Sequence, residues 1–253
     1  ADSVLNVKDS LKAHRDSVKE ATPRILETFA FPDSLQYKRI IQWTHEREFH
    51  KMDVKQPDTS YNHWLHDYPF YRKDVNATWL GVAGSALQYY NWFNRTSENG
   101  VSFYNPYESW TYSTKTLPMY NTKTPYTELA YFGTIFANAQ KESDNLHILT
   151  TQNIFPELNF TLEYDRFGGN GIMQGEKTTN KTFVTSVNYL GKRYMMHTGY
   201  IHNKVIRKEN GGTSDNSMVR DTTLDAREYP INLNNASTNL IRNTFFLDQQ
   251  YRI

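Results

Sequence analysis

The sequence predicts an all-β fold: an antiparallel up-and-down transmembrane β-barrel, represented by its N-terminal strands and preceded by a helical or extended leader. Three observations carry this expectation. In Leu158-Asn159-Phe160-Thr161-Leu162-Glu163-Tyr164-Asp165 every even position is large and apolar and every odd one polar, the period of a strand with two unlike faces. Beyond residue 120, short and long connections between such segments alternate, as in a sheet that zigzags between a rim of tight turns and a rim of long loops. Finally, Phe, Trp and Tyr make up 15% of 253 residues whose mean hydropathy is only −0.73, a surplus of large rings in a polar chain.

Composition narrows the alternatives. With 28 Lys+Arg against 27 Asp+Glu the formal charge is +1, which gives no basic surplus for a nucleic-acid partner. No apolar run approaches the ~18 residues of a membrane helix, but a membrane β-barrel shows only half of each strand to lipid and leaves a weak hydropathy signal. The chain has no cysteine, so disulfide frameworks and thiol chemistry are excluded. It begins Ala-Asp-Ser, as an exported protein cut after a signal peptide would, or a trimmed chain.

Residues 1–28 read as an amphipathic helical or flexible leader. Val4, Val7, Leu11, His14, Val18, Ala21 and Ile25 recur at steps of three and four, one stripe of a helix that Pro23 ends or bends. Asp-Ser-aliphatic repeats at Ser3, Ser10, Ser17 and Ser34; helix-start chemistry accounts for them, and they also resemble the periplasmic O-glycosylation acceptor of Bacteroidota. Residues 29–105, punctuated by prolines, read as extended segments with little regular structure, periplasmic or packed into a lumen. Residues 106–253 read as barrel strands at 108–120, 126–137, 145–155, 158–167, 182–190, 193–206 and 238–253. Pro156-Glu157, Gly191-Lys192 and Thr122-Lys123-Thr124 are the short turns; 168–181 and 207–237 are the long polar connections.

Two unlike faces assign side chains. If the apolar face meets lipid, Phe160, Leu162, Tyr164, Phe183, Tyr189, Tyr194 and Tyr200 are lipid-facing or girdle residues, with Tyr126 and Tyr131 suited to the same interface. Glu163, Asp165, Ser186, Asn188, Arg193 and His197 then point into a lumen, where acids and bases lie within cross-strand reach. Any single strand is better read as an ordinary solvated face; several consecutive ones with aromatics near their ends favour the barrel.

Catalytic motifs are sparse. His45-Glu46-Arg47-Glu48-Phe49-His50 lacks the spacing that sets two zinc-binding histidines one helical turn apart. The glycines at 168–171 and 211–212 suit turns better than phosphate binding, having no following helix or lysine. There is no Gly-x-Ser-x-Gly elbow, and Asp221 with Asp225 reads as solvated loop charge rather than a calcium site. No enzyme, metal or cofactor is expected.

The words Tyr120-Asn121-Thr122-Lys123-Thr124-Pro125-Tyr126-Thr127-Glu128-Leu129-Ala130-Tyr131, Thr151-Gln152-Asn153-Ile154, Tyr164-Asp165-Arg166, Asn180-Lys181-Thr182-Phe183 and Glu209-Asn210-Gly211-Gly212 resemble the putative porin family of Bacteroidota outer membranes, from about Trp43 to the end. The resemblance implies an outer-membrane β-barrel of channel function, exported by a signal peptide, without known catalysis. Family members are much longer by the same resemblance, and an open sheet edge in lipid is costly. The expectation is therefore the N-terminal part of a larger barrel, or an unclosed portion held by another protein.

Passive diffusion of small polar solutes through a hydrated lumen is the first functional expectation. Alternatives are a structural or assembly component of an outer-membrane complex and a soluble carbohydrate-binding β-sandwich. Expected partners are outer-membrane lipids, the assembly machinery or complex subunits, and further copies of the chain; the N-terminus is expected in the periplasm.

Overall fold

The computed structural model describes residues 39–46, 51–55, 77–95, 104–133, 144–217 and 223–251. Its centre is a six-stranded antiparallel meander of β6 (Tyr126–Gly133), β7 (Asp144–Phe155), β8 (Leu158–Asn170), β9 (Lys177–Leu190), β10 (Tyr194–Glu209) and β11 (Ala236–Tyr251), each paired with its neighbours in chain order. No helix among the described residues is long and apolar enough to cross a membrane, which says nothing about crossing by strands.

Connections sort onto two rims. Residues 156–157 and 191–193 link β7 to β8 and β9 to β10, whereas 134–143, 171–176 and 210–235 join the strands at the opposite end. The Gly191 N–H donates to the Tyr194 carbonyl at 2.8 Å and closes one tight turn. Gly211 and Gly212 adopt φ of +67° and +81° in the longest connection, a conformation that costs a residue with a Cβ.

A second layer covers one face of the meander. Strand β1 (Ile40–Glu46) lies between β2 (Lys51–Lys55) and β5 (Pro118–Thr122), with Trp43 opposite Met119. Strands β3 (Ala77–Trp79) and β4 (Leu87–Tyr89) form a small hairpin, and Asn105–Trp110 makes a 3-10 turn with Pro106 in its second position. At the hairpin bend Gly84 has φ of +89°, and a Cβ there would stand 3.1 Å from Phe167 and 3.2 Å from Asn180; glycine alone lets the bend touch the sheet.

Two apolar clusters glue layer to meander. Ile41, Trp43, Leu117 and Met119 pack with Val184, Met195, Ile201 and Phe246, while Leu87, Tyr89, Tyr107 and Trp110 pack with Phe167 and Val205. Burying each such side chain contributes about 1.5–3 kcal/mol. Gly199 makes room for the first cluster, because a Cβ there would lie 2.9 Å from the Phe246 ring.

Several boundaries differ from the sequence expectation. The segment 108–120 is not a strand of the meander: it is a 3-10 turn and irregular chain that ends in β5 of the covering layer. Residues 29–105 hold regular structure in β1 to β4. The expected long connection 168–181 shrinks to 171–176 because β8 and β9 extend further. Thr178, Thr179 and Asn180 alternate polar with polar, so hydropathy carries no strand period there. The leader, its helix and Ser3, Ser10, Ser17 and Ser34 lie outside the described residues.

Candidate functional site: the packed polar face

The meander inverts the usual distribution of a water-soluble sheet. Asn159, Thr161 and Glu163 of β8, Thr178, Asn180, Thr182, Ser186 and Asn188 of β9, and His197 and Asn203 of β10 are buried on one face. Strand register lines them up: Asn159 lies opposite Asn188 and Asn188 opposite His197, while Asp165 lies opposite Thr182 and Thr182 opposite Asn203. Buried polar groups are costly unless hydrogen-bonded, and the covering layer supplies many of the partners.

The Trp43 indole N–H donates to His197 Nε2 at 3.2 Å, and Asn188 Nδ2 donates to the Tyr120 carbonyl at 2.9 Å. Asn180 Nδ2 donates to the Gly84 carbonyl at 2.8 Å. The Tyr112 hydroxyl donates to Glu163 Oε1 at 2.6 Å. Asn203 bonds both the N–H and the carbonyl of Tyr112. Beside these, the Trp110 ring stacks on Phe167 with centroids 4.6 Å apart, its N–H donating to the Ser85 carbonyl at 2.8 Å. Thr151, Asn159 and Thr161 bond one another within the sheet.

One titratable cluster lies on this face. His147 Nδ1 is 2.5 Å from Asp165 Oδ1 and 3.9 Å from Glu163 Oε1, and ligand atoms of the three lie within 4.8 Å of one another. Such a donor set suits a single cation, but the His147–Asp165 contact is already a complete hydrogen bond. The sequence reading missed His147 because its partner carboxylates sit on the next strand, a cross-strand pairing that register alone reveals.

Of the residues assigned to this face, Glu163, Ser186, Asn188 and His197 are buried on it and Asp165 is half-buried. Arg193 is a correction: β10 begins at Tyr194, and Arg193 is exposed in the preceding turn. Tyr126 is another, since it shares the polar face with Glu128, to which its hydroxyl donates at 2.7 Å.

The opposite face carries Phe160, Leu162 and Tyr164 of β8, Phe183 and Tyr189 of β9, and Tyr194 and Tyr200 of β10, joined by Leu129, Ile148, Phe245 and Leu247. Leu129 is 71% and Phe245 74% exposed, an apolar surface that a monomer in water does not display over a whole sheet. The Tyr189 and Tyr194 rings flank the tight turn between β9 and β10, 5.8 Å apart. A shallow cavity of about 340 Å³ opens at the other rim beside Lys177, Lys208 and Arg227, away from the packed face.

A family model described as putative porin matches residues 39–253. Comparison with curated proteins gave no match, and neither did comparison with solved structures. The family match takes in the whole meander and the layer packed on it; the chain belongs to the putative porin family, and its function is porin-like and of the outer membrane.

Proposed function

We propose that the chain contributes part of an outer-membrane barrel that passes small polar solutes by diffusion, with the described segments between residues 39 and 122 as an inner plug. The observation that carries this reading is the contrast of faces: the bare face is apolar, while the covered one buries Asn, Thr, Ser, Glu and His side chains around two apolar clusters. Glu163, Asp165, Ser186, Asn188 and His197 then line the passage, and Phe160, Leu162, Tyr164, Phe183, Tyr189, Tyr194 and Tyr200 meet lipid. The dimensions support it: from Tyr194 to His202 is eight residues, ~26 Å along a strand and ~20 Å along the normal at the usual tilt.

By the usual orientation of such barrels the tight-turn rim is periplasmic and the long connections are external. The passage is gated by the plug, which holds the polar face through hydrogen bonds from its backbone and from Trp43 and Tyr112, beside the two apolar clusters. Solutes cross when that layer shifts. The full-length protein in planar bilayers is expected to conduct, with openings that lengthen when the plug is loosened by substitution. Baseline current in both cases overturns the reading.

A second reading, a structural component of an outer-membrane assembly, is favoured by the close packing of the plug on the polar face. Silent bilayers together with stable copurification of defined partners would select it.

A further inference from the structure

The apolar face of the meander ends in a sharp change of character. Every cross-strand row from Tyr194 to the row of Tyr164, Phe183 and His202 lacks Lys, Arg, Asp and Glu on this face. The next row toward the long connections places Arg166 opposite Lys181 and Lys181 opposite Lys204. Two rows further, Lys177 lies opposite Lys208. Arg166, Lys181, Lys177 and Lys208 are exposed and Lys204 is half-buried.

Like charges directly opposite on neighbouring strands are destabilising, so three in a row on one face need an anion between them. The described acid nearest the row on this face is Asp144, diagonal to Arg166 and already accepting from the Tyr131 hydroxyl at 2.9 Å. One carboxylate does not balance the row. Its height supplies the anion's identity. Tyr194 to Lys204 is ten residues, ~33 Å along the strand, or ~25 Å along the membrane normal at a tilt near 40°, the height of a barrel's apolar band. The row therefore stands where hydrocarbon gives way to head groups, with stems long enough to reach outward.

We propose that Arg166, Lys181 and Lys204 form a binding row for phosphate groups of lipids in the leaflet at the long-connection rim. A phosphate seated between two strands accepts from cations on both and turns their mutual repulsion into a clamp. The arginine adds a two-pronged contact that a lysine lacks.

The proposal rests on the membrane reading above, and its test separates the two. The full-length protein is reconstituted in nanodiscs of phosphatidylcholine with or without phosphatidic acid, and the retained lipid is counted by native mass spectrometry. Wild type is expected to enrich phosphatidic acid by roughly a hundredfold, from about a tenfold gain per one to two basic residues near an anionic surface. The R166Q/K181Q/K204Q variant should bring the ratio near one, and K192Q, at the opposite rim, should leave it unchanged. The melting temperature gives a second readout that misfolding cannot imitate: in pure phosphatidylcholine the triple variant should melt above wild type, and with phosphatidic acid below it. Insertion with no lipid preference, or a preference that survives the triple variant, overturns the proposal alone. Displacement by inorganic phosphate without discrimination between lipids reassigns the row to free anions and overturns it too. Failure to enter nanodiscs at all refutes the membrane reading.

Discussion

Asn203 and Tyr112 are joined in both directions: Asn203 Oδ1 accepts from the Tyr112 backbone N–H at 3.2 Å, and Asn203 Nδ2 donates to the Tyr112 carbonyl at 2.8 Å. A single amide side chain thus completes the backbone of the covering layer as a neighbouring strand would. Thr182 fixes it in place, donating its hydroxyl to Asn203 Oδ1 at 3.0 Å.

Replacing Asn203 by Leu keeps the number and branching of heavy atoms and removes both bonds. Two half-buried backbone groups lose this partner, at up to about 1–3 kcal/mol each. The Tyr112 amide should exchange hydrogen ten to a hundred times faster, roughly the factor that one such group sets, while amides of β8 and β9 change little. Equal acceleration across the meander would mean that the layer and sheet open together.

Trp110→Ala removes a stacked ring and a buried hydrogen bond at once. The expected loss is about 3–5 kcal/mol for a large aromatic in a packed site. Limited proteolysis should then cut between residues 77 and 117 before any strand of the meander is cleaved. In planar bilayers the same variant should stay open longer.

Phe245→Arg tests what the bare face touches. At the middle of a lipid-facing band the substitution costs about 2–4 kcal/mol, whereas on a water-exposed face it stays within about 0.5 kcal/mol. Denaturant unfolding from lipid vesicles distinguishes the two, with Thr244→Arg, on the opposite face, read as a separate packing effect.

Asp215 predicts a pH response in the longest connection. The Ser217 hydroxyl at 2.7 Å and the Ser217 N–H at 2.9 Å donate to its carboxylate and hold its pKa below the ordinary carboxylate value. A depressed folded pKa makes the turn's contribution complete above the unfolded pKa and lost as pH falls through the folded one. NMR titration should place Asp215 below a free aspartate, and Ser217→Ala should move it upward. An unshifted value in the wild type would remove the turn from the account.

Strand number and face were legible wherever hydropathy alternated, as at Leu158–Tyr164, because the two faces differ in chemistry. They were illegible where both faces are polar, as in Lys177–Thr182, and β9 was read too short. The covering layer was expected as extended segments, periplasmic or packed into a lumen, and its regular strands went unread for another reason. Trp43, Tyr112 and Trp110 sit in proline-broken text without a long period, and their order comes from partners on distant strands. Arg166 and Lys204 stand two positions after Tyr164 and His202, and Lys181 two before Phe183 on the antiparallel strand between them, a signal visible in the text once register is known.

The Trp43–His197 bond closes 154 positions of chain, and its consequence is kinetic. Hairpins of the meander join neighbours in sequence and close quickly, but the polar face cannot be finished until segments from the far end of the chain arrive. During that interval the strands present unsatisfied amides and hydroxyls on one side and bare hydrocarbon on the other. On the membrane reading proposed above, folding calls for water on one flank and acyl chains on the other, and the slow step is the docking of the described segments between residues 39 and 122 into a sheet already formed.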